Sequence, residues 1–200
     1  AVSLFFLYLY DISHDHLTVE KAMAPLHYLT DARHHIINSE YNSSIRSLES
    51  AIRAMKIIEH HADSTADAHI EQAIEDLKLV EAEIKNDSVV VSDLNRAFFN
   101  ALNSIAFANI TISEASIEKG EKYRALNYMN ASFSEMIGSL KFATDEEQRK
   151  LENKVINEIR QILSKMKDSD HAYRFNYNAL NQEFEELIDI EKKTETEKVN

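Results

Sequence analysis

Two hundred residues suffice for one substantial domain or two small ones, and a compact chain of this size buries about 70% of its unfolded surface without needing a staple. Two Gly and one Pro leave little turn or sheet punctuation, and the absence of Cys excludes disulfides, thiolate catalysis and Cys-ligated zinc or iron–sulfur sites. A net charge of −12 with no basic stripe argues against nucleic acid and anionic headgroups as partners.

The chain starts AVSLFFLYLY, ten residues without a charge, and then turns polar at Asp11-Ile12-Ser13-His14-Asp15-His16. As a helix such a stretch spans about 15 Å, half of a ~30 Å hydrocarbon layer, so it cannot cross a membrane alone. It reads as the outer end of a transmembrane helix, with a buried first element of a soluble core as the alternative. The flank lacks Lys or Arg until Lys21, which places the bulk of the chain outside the cytoplasm. No small-residue cleavage site precedes Asp11, against a signal-peptide remnant. The expected organisation is an apolar membrane exit and polar linker over 1–16, a helical domain over 17–192, and a polar tail over 193–200.

If 23–37 is helical, Met23, His27, Asp31 and His34 or His35 share one face at steps of three and four, close enough to converge on one ion. With His14 and His16 as further ligands, the set suits zinc or copper(II), and the thioether would favour copper(I). Eight of the nine histidines precede residue 70, and His60, His61, Asp63 and Asp67 form a second grouping at a break between helices. Neither grouping requires a metal, because the helix dipole favours histidine near a C-terminus, and adjacent histidines point about 100° apart.

Helical periodicity continues through Ile45, Leu48, Ile52, Met55 and Ile58, then Ile70, Ile74, Leu77 and Ile84. After a β-branched connector at Val89-Val90-Val91, Ser92 or Asp93 suits the N-cap of a helix carrying Phe98, Leu102, Ile105, Ile112 and Ala115. Gly120 suits a C-cap. Leu126, Met129, Phe133, Met136 or Ile137, and Leu140 follow; Thr144 with Glu147 resembles a capping box ahead of Leu151, Val155, Ile159, Ile162 and Met166. Tyr173, Tyr177, Leu180, Phe184 and Leu187 form the last stripe. The stretch Gly120–Ala131 is similar to the second half of a tetratricopeptide repeat, with Tyr123 and Ala131 one place off that family's spacing. No neighbouring hairpin repeats it, so an ordinary hairpin is expected.

The fold expected is an all-α, antiparallel bundle of six or seven helices arranged as successive hairpins over 43–86, 92–143 and 145–192. There is no phosphate loop, dinucleotide fingerprint, nucleophile elbow, Glu-x-x-His pair or His-Glu-x-x-His motif, so no catalytic residues are assigned. Asn42, Asn86, Asn109 and Asn130 head glycosylation triplets that matter only outside the cytoplasm. The expected function is a non-catalytic, membrane-tethered accessory or protein-interaction subunit of a membrane complex. An extracytoplasmic sensor bundle and a copper- or zinc-binding bundle are the alternatives.

Overall fold

A computed structural model describes the backbone of residues 2–168 and 177–198 and the side chains of 20–167 and 177–188. Seven helices and no strand occur among the described residues. They are α1 (Val2–Ile37), α2 (Tyr41–Glu59), α3 (Ser64–Lys85), α4 (Val91–Glu118), α5 (Lys122–Ser139), α6 (Glu146–Asp168) and α7 (Tyr177–Lys198). The backbone of α1 is helical through the segment expected to be a linker, and that of α7 through the expected tail as far as Lys198.

Every consecutive pair of helices packs in contact, most extensively α4 on α5 and α1 on α2. The apolar stripes explain this. Leu48, Ile52, Met55 and Ile58 are all buried on α2, as are Ile70, Ile74, Leu77 and Ile84 on α3, and each such stripe must find a neighbour to leave water. Helix α4 differs: residues 101–113 are buried without a break, and it touches every other helix except α6. A helix buried all round is the centre of its domain. Gly138 lets α1 close on α5, because a Cβ there would collide with the Leu26 side chain.

Three helices end in the same way. At the C-terminus of α4, Gly120 takes φ +77°, its N–H donates to Ile117 O (3.0 Å), and Glu121 N–H donates to Ser116 O (2.8 Å). This is a Schellman motif, which satisfies carbonyls the helix leaves orphaned. Helices α1 and α3 close identically with non-glycine residues in the left-handed region: Ser39 (φ 59°) behind Glu40 N–H to His35 O (2.7 Å), and Asp87 (φ 53°) behind Ser88 N–H to Glu83 O (2.9 Å). Scarce glycine thus leaves two helix ends strained.

Two expected starts move. Helix α4 begins at Val91 behind an extended Val90 with no side-chain cap, so neither Ser92 nor Asp93 is the cap; Asp93 instead pairs with Arg96 in the first turns (3.3 Å). At α6 the cap is Asp145 rather than Thr144. Asp145 Oδ1 accepts from Gln148 N–H (2.8 Å), while Gln148 Oε1 accepts from the N–H of Thr144, the residue before the cap (2.9 Å), an arrangement close to a capping box. Ala115, expected inside, is exposed, and Tyr173 lies outside the described residues.

Relieving the left-handed positions predicts that Ser39→Gly and Asp87→Gly each gain roughly 0.5–1 kcal/mol, whereas Gly120→Ala loses about 1 kcal/mol. Urea unfolding of the three variants measures this.

Candidate functional site

The histidines come first. On α1, His27 is exposed beside Glu20, Met23, Ala24 and Tyr28, which line an open groove of about 340 Å³. Asp31 and His34 continue the exposed face. His34 and His35, however, are engaged at the end of the helix: Asn38 Nδ2 donates to His34 Nε2 (3.0 Å), and His35 Nδ1 pairs with Glu40 Oε2 (2.5 Å). Those contacts belong to the closing turn around Ser39, so the turn holds both rings near Asn38 and Glu40. His14 and His16 lie outside the residues whose side chains are described. In the second grouping, Asp63 is the N-cap of α3, accepting from Thr65 N–H (3.1 Å) and Ala66 N–H (2.9 Å), and His60 is the C-cap of α2. Among the described residues no three His, Asp or Glu side chains are placed to hold a metal ion.

A different constellation occupies the interior. Helix α5 carries Tyr128, Ser132, Glu135 and Ser139 at steps of three and four, all buried. Glu135 is fully enclosed, and neither carboxyl oxygen has a hydrogen-bond partner. Removal from water with nothing to offset it raises this carboxyl well above the usual range. One turn on, the Ser139 hydroxyl lies within hydrogen-bond reach of Met136 O (2.8 Å) and of Glu152 Oε1 on α6. One hydroxyl proton cannot serve two acceptors. Ser139 therefore gives its proton to Met136 O or to Glu152 at any one time, and Glu152 Oε2 has no partner. Burial, opposed by the Ser139 hydrogen bond and the Arg149 charge, pushes Glu152 up to about 7.

The same interior polarity ties α7 down. Ser113 on α4 donates to Ala125 O on α5 (2.9 Å) and lies 3.4 Å from the Tyr177 hydroxyl, whose proton burial holds up to about 12. Across α6 and α7, Lys154 Nζ donates to Glu183 Oε1 (2.6 Å). Burial and the neighbouring Glu183 raise Glu158 there.

The buried acids were not among the residues singled out from sequence, although a signal existed. From Leu126 to Leu140 Glu135 is the only charged residue, and it sits on the stripe that carries Met129 and Met136 inward. Neither carboxyl is open to a substrate, since both are 0% exposed, so in this arrangement they can bind and release protons but touch no ligand. The triplet asparagines divide: Asn42 and Asn86 are exposed, Asn130 donates to Leu126 O (2.8 Å), and Asn109 is fully buried.

No family model, curated protein or solved structure matches the chain.

An uncompensated buried acid is dispensable to folding, so Glu135→Leu is expected to raise stability at pH 8 by about 1–3 kcal/mol, and by less at pH 5. The sign follows from the raised folded-state pKa: the native chain holds protons that the unfolded chain releases above pH 4.5, so wild-type stability falls as pH rises. Denaturant unfolding at the two pH values checks it.

Proposed function

We propose that the chain is a non-catalytic helical interaction domain, tethered to a membrane by the apolar start of α1, facing outside the cytoplasm and serving as an accessory subunit of a membrane complex. The observation that carries this reading is the length of α1. Its 36 residues span about 54 Å, whereas α2, the helix it packs on most, has 19 and spans about 28 Å. If α2 folds back along α1 from the short 38–40 connection, it reaches only to about residue 20, and the surplus comprises the apolar opening and the polar residues behind it. A helix that enters the bundle from an apolar segment is the economical form of a stalk.

The connections of three to six residues at 38–40, 60–63, 86–90, 119–121 and 140–145 support successive antiparallel hairpins stacked on that stalk. Among the described residues no helix is long and apolar enough to cross a membrane, and the opening lies outside the side chains described. The free face of α1 supports partner binding: Tyr28 is 37% exposed and Ile37 66%, flanked by His27, Asp31 and His34. The groove beside Met23 and Tyr28 also suits a small ligand, which keeps the sensor reading as second choice.

Two outcomes are expected. The whole chain should float with phosphatidylcholine vesicles on a density gradient, and the Phe5→Asp, Phe6→Asp double variant should remain with soluble protein. Flotation of neither, or of both equally, rules out the tether. For the face, Tyr28→Asp with Ile37→Asp is expected to lower co-purification with integral membrane subunits at least tenfold while leaving the melting temperature within a few degrees.

A further inference from the structure

Among the described residues, α6 is the one helix that does not touch the central α4, and it packs on α5 and α7. Its inner face is strongly apolar, with Val155, Ile156, Ile159, Ile162, Leu163 and Met166 buried. Its polar attachment to α5 is the contact of Glu152 with Ser139, one turn from the enclosed Glu135. We propose that the α5–α6 seam is a proton-gated joint: Glu152, protonated, keeps α6 seated on α5, and loss of its proton parts the two helices and bares the apolar face of α6.

The argument needs only burial and proton counting. A carboxylate at position 152 can accept at most the one Ser139 hydroxyl proton, for which Met136 O competes, and its second oxygen has no partner. A buried ion in that state must find water or a countercharge. Three arginines on the surrounding helices have partners other than Glu152, and Lys150, Lys165 and Lys167 on α6 are exposed. Arg33 on α1 lies over the Phe142 ring (5.5 Å), Arg96 on α4 pairs with Asp93, and Arg160 on α6 lies over Phe133 (5.6 Å). Arg149, one turn before Glu152, donates to Ala143 O (3.1 Å) and lowers the proton affinity of Glu152 without cancelling the effect of burial. Glu135, one turn from Ser139, is a second buried acid without a hydrogen-bond partner and offers Glu152 no countercharge. Water reaches Glu152 most cheaply by parting α6 from α5, since α5 is bound far more extensively to α4. The proposal adds regulation to the interaction reading above but does not rest on the membrane tether.

The joint titrates in the neutral range. With a folded-state value of about 7 against 4.5 when open, the ratio of open to seated chains rises about tenfold between pH 6 and pH 8.5. Native-state amide exchange of the whole chain, corrected for the intrinsic rate at each pH, measures that ratio. The expected result is a tenfold fall in protection over residues 155–166, with that protection well below the protection over 101–113 at both pH values, and no such fall over 155–166 in Glu152→Gln. Three results overturn the proposal: protection of α6 that does not change with pH in the wild type, protection of α6 as high as that of α4, or the same fall in Glu152→Gln. Should that variant not fold, carboxyl-carbon NMR of the wild type decides, since a Glu152 titrating near 4.5 removes the gate and one titrating near 7 supports it.

Discussion

Burial of α4 on every side is the constraint on which the rest of the molecule depends. A helix with thirteen consecutive residues out of water can be accommodated only if neighbours surround it, and α1, α2, α3, α5 and α7 each contact it. Its composition makes this possible. Ala97, Ala101, Ala106 and Ala108 allow close approach, Phe98, Phe99 and Phe107 fill the larger gaps, and the Phe107 ring stacks on Phe184 of α7 (5.6 Å). Two of the polar residues in the same stretch serve the backbone, Asn103 donating to Phe99 O and Thr111 to Ala108 O (both 3.0 Å), which reduces the cost of burying them, whereas the buried Asn109 amide has no partner.

That arrangement separates the bundle into a spine with its immediate neighbours and one helix held at second hand. Helix α6 reaches the spine only through α5 and α7, and its polar fastenings, Glu152 to Ser139 and Lys154 to Glu183, each involve a carboxyl group. Apolar contact is indifferent to pH, whereas a buried carboxyl is not. The attachment of α6 thus rests partly on groups whose charge changes with pH. Helix α1, which also packs on α5, keeps Tyr28 and Ile37 exposed, so the surface proposed for a partner and the proposed joint lie on different helices.

Much of this order could be read from the sequence because amphipathic stripes and caps are local. Val155, Ile159, Ile162 and Met166 recur at helical spacing and are buried as that spacing requires, and Gly120 is where a C-cap should be. The centrality of α4 was harder to see. Choosing one face of it, Phe98 to Ala115, hides the fact that Ala101, Ala106, Phe107, Ala108 and Ile110 fill the others, and a helix apolar all round has no single face to choose. Caps shift by one residue because Asp and Thr are near-equivalent there, so Asp145 could not be told from Thr144. The histidine cluster on α1 follows from spacing alone. Spacing cannot reveal that a closing turn at Ser39 places Asn38 and Glu40 against His34 and His35. Glu135 was visible as an isolated charge, but which way it faces depends on tertiary packing.

The central position of α4 is tested most directly by enlarging it on opposite sides. Ala106 and Ala108 are both 0% exposed and lie about 200° apart around the helix axis. Urea unfolding of Ala106→Leu and Ala108→Leu should show that each loses about 1–3 kcal/mol, because neither side has room for three further carbons. A loss under about 0.5 kcal/mol at either position, the size expected of a surface site, would contradict the account by showing that one side of α4 faces open space.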